Sequence, residues 1–598
     1  MLRRLLRLSM QQQQSARPQG RPRKRPFSNV ANSRPNGIQT PPRAAPPPPS
    51  LAHKPQTLEF SSFATQDTPR FADLGKEQII DPTLLETITQ DLKFDHMMPV
   101  QAATLHELLQ NKIDCLAQAR TGTGKTIAFL LPAIQNMINS RGGNKFGVST
   151  LILTPTRELA IQIQKEAEAL LQRLPQYKVT IAIGGTNKNA ESRKIAQGCD
   201  ILVATPGRLI DHLSEESFQH HFRAVQTLVL DEADRMLDMG FLPSIKQIIN
   251  YLPQKAMVPR QSMLFSATFD QQIQDVSRQF LNNDYKFIST IPKGEANTHK
   301  RVPQFYVEVP EMSDLAPALL ATIRAEKAEN PSAAFKAIVF APTAALADFY
   351  GHVLEKSSGM PTVSVLHSRK SQSTRTRLTE DFKNATNAIV VATDVIARGM
   401  DFPNVSHVIQ VGMPSDKESY IHRIGRTARA EADGRGVLIL TRHENWYLRQ
   451  MKDVNFQSLP NAISYSREDV RAQISTLQNA GKVYSAWLGY YKTSTKPMNW
   501  TPAQLVQQAN TFARDGLGCP EVPGILRKTV GMMGLKGVPG LNIVASLPDQ
   551  GPPAPNGHGR QGNMRQGRRG PLPQSAEQPV SRRLAPGRKM PGQQMFAQ

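Results

Sequence analysis

Cysteine is nearly absent. The 598 residues contain three, Cys115, Cys199 and Cys519, and their spacing suits neither a disulfide framework nor a zinc site. That scarcity fits a reducing compartment. Long apolar runs are also missing. None approaches the roughly 18 residues of a membrane-spanning helix, so no membrane insertion is expected. Acid is lacking at both ends. Before Glu59 there are eleven Lys/Arg and no Asp or Glu, and after Ala545 eight Lys/Arg face only Asp549 and Glu577. Of the net charge of +23, the long middle therefore carries only about +6. Basic arms on a near-balanced body point to a polyanionic partner.

The chain opens with "MLRRLLRLSM", whose Leu2, Leu5 and Leu6 fall on one helical side and Arg3, Arg4 and Arg7 on the other. Some fifty residues rich in Arg, Gln, Ser and Pro follow. This is the composition of an organelle transit peptide, and "RPFSN" (Arg25–Asn29) resembles a matrix-protease cleavage site. A disordered basic arm has the same composition. From about Phe71, short apolar runs alternate with amphipathic helical sequence: "STLILT", "KVTIAIGG", "DILVAT", "TLVLDEAD", "SMLFSAT". Buried parallel strands with crossover helices read this way. The rhythm lapses near Ile291–Gln304 and resumes with "FKAIVFAPT", "TVSVLHS", "NAIVVATDV", "HVIQVGMP" and "GVLILT". The expectation is two tandem α/β domains with parallel sheets, at 59–295 and 304–455, joined by a linker at 296–303. An arm at 1–58 precedes them. A helical extension at 456–545 and a disordered basic tail at 546–598 follow.

"AQARTGTGKT" (Ala117–Thr126) lies between an apolar segment and the helical "IAFLLPAIQNMI". Glycines let successive backbone N–H groups turn around phosphates, and the helix dipole adds positive potential there. Ala119, where the general pattern has Gly, with Arg120, Thr121, Gly122, Thr123 and Gly124 would form the cradle. Lys125 would reach the β- and γ-phosphates, and Thr126 would ligate Mg²⁺. Some hundred residues later an apolar run ends in Asp231 and Glu232. Asp231 suits a metal ligand, and Glu232 suits a base that orients and activates water. Acids at a strand–helix junction can also serve as N-caps. The preceding P-loop favours ATP hydrolysis.

The P-loop is followed by "PTRELA" (Pro155–Ala160), "TPGRL" (Thr205–Leu209), "DEAD" (Asp231–Asp234), "SAT" (Ser266–Thr268), "VATDVIARGMDFP" (Val391–Pro403) and "YIHRIGRTARA" (Tyr420–Ala430). This order and spacing resembles the DEAD-box ATP-dependent RNA helicases, over roughly Phe71 to Arg442. The resemblance implies two RecA-like domains and an RNA-stimulated ATPase using ATP and Mg²⁺. It implies that Gln101 reads the adenine edge, for which an amide that both donates and accepts is suited. It offers Phe71 as the aromatic stacked on the base, and Asp401 as the acceptor for the ribose hydroxyl. Arg426 and Arg429 match the arginine fingers, and His422 with Ser266 and Thr268 would couple hydrolysis to domain contact. On the RNA side Pro155, Thr156, Arg157, Gly184, Gly185, Thr205, Gly207 and Arg208 match first-domain contacts. Thr343, His367, Ser368, Arg375 and Thr393 fall in matching second-domain stretches. Such groups suit phosphate and ribose oxygens, so sequence-tolerant, salt-dependent binding is expected. The sequence departs from the family pattern at Lys93 and Ala428, where Gly is usual, at Met98, where Ser or Thr is usual, and at Ser368, again for Gly.

With the transit-like arm, the helical extension and the basic tail, the chain looks like the fungal mitochondrial RNA chaperones that assist group I and group II intron splicing. The resemblance implies a monomer in the mitochondrial matrix acting on structured RNA. A nucleolar or ribosome-assembly helicase, and a non-catalytic RNA clamp, are the alternatives.

Overall fold

The strands Thr150–Leu153, Val179–Ala182, Ile201–Ala204, Thr227–Leu230 and Gln261–Ser266 arise from short, mostly apolar runs, each buried along its whole length except Val179–Ala182. The computed structural model describes residues 58–59, 68–120, 122–140, 147–291, 302–329, 331–397, 400, 402–428, 434–452, 454–459 and 463–547. The readings made for the N-terminal arm, for most of the linker and for nearly all of the basic tail lie outside these residues.

Among the described residues the first sheet has eight strands: β1 (Leu58–Glu59), β2 (Cys115–Gln118), β3 (Thr150–Leu153), β4 (Val179–Ala182), β5 (Ile201–Ala204), β6 (Thr227–Leu230), β7 (Gln261–Ser266) and β8 (Lys286–Ser289). Their order is β1-β8-β2-β7-β6-β3-β5-β4, and every ladder is parallel. The second has seven: β9 (Gln304–Val309), β10 (Lys336–Phe340), β11 (Thr362–Leu366), β12 (Ala388–Ala392), β13 (His407–Val411), β14 (Arg435–Thr441) and β15 (Phe456–Ser458). The order is β11-β12-β10-β13-β14-β9-β15, again all parallel. These are the two tandem RecA-like sheets expected. Parallel strands need crossovers, so helices cover both faces and all strands end on one side, where loops can converge on a ligand. The apolar runs foretold β3 to β7 and β10 to β14. Strands β8, β9 and β15 were not foretold. β8 is short, and β9 interleaves polar residues with apolar ones.

Beyond β15 the chain is helical but broken. A 3₁₀ turn at Arg467–Val470 and a single turn at Arg471–Ile474 precede the helix Ala480–Lys492, and a further helix covers Pro502–Thr511. Val483, Tyr484, Trp487, Leu488 and Tyr491 of the first of these long helices are buried in the same apolar core as the second sheet. Trp487 stacks 5.7 Å from Phe512, whose ring meets Phe349 of the helix Ala344–Glu355 edge-on at 6.3 Å. Tyr491 donates its hydroxyl to the buried Glu444 at 2.9 Å. The extension thus completes the second domain's core. No helix of the described residues is long and apolar enough to cross a membrane.

Candidate nucleotide and nucleic-acid sites

The phosphate loop follows β2 directly. Ala119 N donates to Ser266 O at 3.0 Å, which ties the loop to the end of β7. Thr123 Oγ1 donates to Arg120 O at 2.7 Å, and Gly124 opens the helix Lys125–Asn139 with φ +86°. That dihedral needs glycine. So does the space, because a Cβ on Gly124 would lie 2.4 Å from Gln101 Nε2. The Gln101 amide is committed at both ends. Its Oε1 accepts from Met98 N at 2.8 Å, and its Nε2 donates to Gly124 O at 3.0 Å. Gln101 is therefore a buried strut between the helix Pro99–Gln110 and the phosphate loop.

β6 delivers the acids. Asp231 follows its last residue, and Glu232 stands at φ +51°, a left-handed conformation that costs a non-glycine residue about 1 kcal/mol or more. This strain turns the chain sharply into the helix Ala233–Asp238. Lys125 Nζ meets Glu232 Oε1 at 3.0 Å, with the two side chains 6% and 1% exposed. Burial alone would lower the lysine pKa. The Glu232, Asp231 and Asp234 carboxylates outweigh it, and the ammonium is held above its ordinary value. Burial and the adjacent Glu232 charge push Asp231 up to about 7. Asp231 Oδ1 is buried without a hydrogen-bond partner among the described residues. No group of three or more His, Cys, Asp or Glu that could form an all-protein metal cage occurs among those residues. A single orphaned carboxylate oxygen beside a phosphate loop fits a cation that takes its other ligands from phosphate and water. Thr268 N donates to Ser266 Oγ at 3.3 Å, and Thr268 Oγ1 is buried without a partner among the described residues.

Phe71 is 1% exposed and packed in the core with Leu74 and Ile80, so its ring has no solvent-facing side. Arg426 is buried and donates to Met400 O and to His422 O, carbonyls of its own domain. Thr121, Asp401 and Arg429 lie outside the described residues.

The expected RNA residues gather at helix N-termini where strands end. Thr156, after β3, caps the helix Arg157–Leu170 by accepting from Leu159 N at 3.3 Å. Thr343, after β10, caps Ala344–Glu355 by accepting from Leu346 N at 3.2 Å. Thr205 and Thr393 occupy the same position after β5 and β12. A threonine that accepts from its own helix keeps its hydroxyl proton for a phosphate. Gly184 and Gly185 let the Arg157 guanidinium lie on the backbone, where a Cβ would meet its nitrogens at 2.8 and 2.5 Å. Pro155 is buried, and Gly207 and Ser368 are exposed.

Three expected contacts are engaged within the protein. His367 is buried, and both its ring nitrogens are used, by Asp348 Oδ1 at 2.9 Å and Arg369 N at 3.2 Å. Arg208 pairs with Glu191 at 2.8 Å. Arg375 crosses between the sheets to Glu158, which also accepts from Gln372 Nε2 at 3.2 Å. A second crossing lies behind the acids, where Arg235 Nη2 is 3.9 Å from Asp394 Oδ2. Asp394 also takes Arg423 at 2.7 and 3.1 Å. Glu158, Gln372, Glu191 and Asp394 received no role from the sequence. Glu158 and Asp394 lay inside quoted motifs, but nothing in one dimension shows which charge an acid will meet.

Residues 98–276 match the DEAD/DEAH box helicase family, and residues 319–431 match the helicase conserved C-terminal domain. The chain is 42% identical over 485 residues to "ATP-dependent RNA helicase MSS116, mitochondrial" of Phaeosphaeria nodorum, spanning 79% of this chain and 86% of that one. It is 41% identical over 497 residues to the protein of that name in Aspergillus oryzae, with shares of 81% and 78%. Its fold is similar to the solved structure of Mss116p bound to ssRNA and AMP-PNP. The TM-score is 0.72 at 31% identity, over 81% of this chain and 98% of that one.

Proposed function

Since the chain belongs to the DEAD-box family of ATP-dependent RNA helicases, we propose that it is a mitochondrial RNA chaperone, which opens short duplexes in structured RNA such as group I and group II introns. The mitochondrial part rests on the names of the fungal relatives and on the transit-like arm.

The buried charge cluster carries the catalytic reading. Lys125, paired with Glu232, already sits where a polyphosphate would lie against the phosphate loop. The ammonium can exchange that carboxylate for phosphate oxygens with little change in burial. Thr126 and Asp231 would hold Mg²⁺, which when bound screens the phosphate charge. Once Lys125 turns to the phosphates, Glu232 is the carboxylate placed to take a proton. Glu232 accepts it from the attacking water as oxygen bonds to the γ-phosphorus. The bond from that phosphorus to the bridging oxygen breaks, and its electrons leave with ADP. Gln101, braced between Met98 N and Gly124 O, would connect adenine recognition to the phosphate loop.

The coupling follows from the two crossings. Glu158 and Arg375 find each other only when the domains meet, and so do Arg235 and Asp394, although Asp394 keeps Arg423 within its own domain. Nucleotide and RNA that favour the meeting therefore strengthen each other. RNA lies on helix N-termini of both domains in a path set by protein rather than by base pairing. Each lost base-pair step costs about 1.4 kcal/mol, so such a grip opens several pairs and not a long helix. Steady-state ATPase assays test this. Turnover should be RNA-stimulated and abolished in Glu232→Gln, while filter binding shows that variant still retaining RNA in the presence of ATP. Wild-type protein with no RNA stimulation would end the helicase reading. A fluorescent fusion of residues 1–60 that stays nuclear or diffuse would end the mitochondrial one.

A further inference from the structure

Two of the backbone segments assigned to RNA are separated in sequence, the turn at Gly184–Gly185 and the helix start at Thr205–Arg208. One carboxylate joins them. Glu191, on the helix Lys188–Ala196, is buried, and it is surrounded by donors. Its Oε1 accepts from Ile183 N at 3.3 Å and from the Thr186 hydroxyl, so it holds the backbone on both sides of the Gly-Gly turn. Its Oε2 accepts from Arg208 Nη1 at 2.8 Å, in the first turn of the helix Pro206–Leu213. Arg208 Nη2 in turn donates to Thr186 O at 3.2 Å, which closes the brace.

Behind this carboxylate stands His212, 0% exposed, with Nε2 at 2.9 Å from Glu191 Oε2 and Nδ1 at 3.2 Å from Ser192 Oγ. The imidazole is stacked on Phe218 at 4.7 Å. A buried carboxylate meeting four donors is neither a solvated surface acid nor a simple ion pair. Burial would raise its pKa. The bonds from His212, Thr186 and Arg208 outweigh that, and Glu191 is held below the ordinary carboxylate range. It is therefore an anion at neutral pH. Its two oxygens are divided between the two segments.

We propose that Glu191, backed by His212, is a positioning residue for RNA: it sets the distance between the Gly184–Gly185 turn and the Thr205–Arg208 turn, and aims Arg208 at the phosphate path. It touches no nucleotide and no reacting atom. The inference rests on the RNA-helicase reading and adds a residue to which no motif assigned a role. Because the brace lies entirely on the RNA face of the first domain, its loss should weaken RNA capture without disturbing the nucleotide site.

The test is RNA-stimulated ATPase of the full chain, with wild type measured first. Wild type without stimulation defeats the underlying reading and not this step. Given stimulation, Glu191→Gln should raise the RNA concentration for half-maximal rate about tenfold, with kcat at saturating RNA and KM for ATP unchanged. In an Arg208→Gln background, Glu191→Gln should add less than about twofold, because both variants break one link. His212→Gln, which keeps a donor, should behave as wild type, and His212→Phe should shift half-saturation in the direction of Glu191→Gln. Unchanged half-saturation in Glu191→Gln overturns the proposal, and so does full additivity with Arg208→Gln. If Glu191→Gln does not fold, the two His212 variants decide: identical RNA dependence in both overturns it.

Discussion

Glu158→Gln isolates the contact between the domains. In the structure Glu158 and Arg375 are 2% and 3% exposed, and Gln372 supplies a further bond to the same carboxylate. Burial already works against the Arg375 charge, as does nearby Arg157, and Glu158 is the group that compensates. Breaking one side of a buried pair costs about 3–5 kcal/mol. The glutamine keeps a carbonyl acceptor for Arg375, so about 2–3 kcal/mol is the fitting range. The loss falls only on the closed arrangement, because separated domains let water solvate Arg375. The closure constant should fall by about 30- to 150-fold, and RNA half-saturation at fixed ATP should rise in proportion while closure is the minority state. Donor and acceptor dyes on the two domains, titrated with RNA at saturating ATP, read this directly. Thermal unfolding should barely change. Glu158→Gln/Arg375→Gln should close better than Glu158→Gln alone, since no charge is left stranded. A built-in control is Lys165–Glu380, which joins the same two helices at 2.9 Å but is 58% and 48% exposed. Lys165→Gln should shift closure less than about threefold. If Glu158→Gln closes with wild-type RNA dependence, the buried pair is not what holds the domains together.

Two further outcomes follow from the local chemistry. Asp231 has a folded-state value near 7 against an ordinary 3.8, so the folded chain keeps a proton that the unfolded chain has released. Its contribution to stability is complete below about pH 4 and is lost as pH rises through about 7. Protein free of nucleotide and metal should therefore melt at lower temperature at pH 8 than at pH 6. Asp231→Asn should flatten that slope, and an unchanged slope would refute the assignment. Lys93 and Ala428 stand where relatives of this type carry glycine, and both adopt left-handed backbone, at φ +56° and +52°. Lys93→Gly and Ala428→Gly should each stabilise the fold by about 0.5–1 kcal/mol in urea unfolding. Equal or lower stability would show that the strain is compensated locally.

Much of the architecture could be read in one dimension because buried parallel strands announce themselves. Runs such as "ILVA" and "AIVVA" have no polar residue to face water, so they read as buried strands. Edge and near-edge strands such as β9 and β15 meet polar neighbours and carry mixed residues, and they were missed. The phosphate loop was legible for a related reason. Its function uses backbone N–H groups, so the needed glycines and the Lys-Thr pair must sit within one short stretch. At Ala428 the backbone is left-handed, at φ +52°, which no apolar run or motif spacing announces.

The sequence by itself determined the two sheets, the phosphate loop and the identity of the acids at the end of β6, because these depend on neighbours along the chain. Only the tertiary structure decided how charges pair. Arg375 and Arg208 were read as contacts for RNA, yet each meets a carboxylate from elsewhere, Glu158 across the domain junction and Glu191 on the helix Lys188–Ala196. It likewise turned Gln101 into a strut and Phe71 into core. Coulombic and packing energies depend on separation in space, and at the end of a parallel strand the nearest opposite charge can lie more than a hundred residues away, as Glu232 does from Lys125.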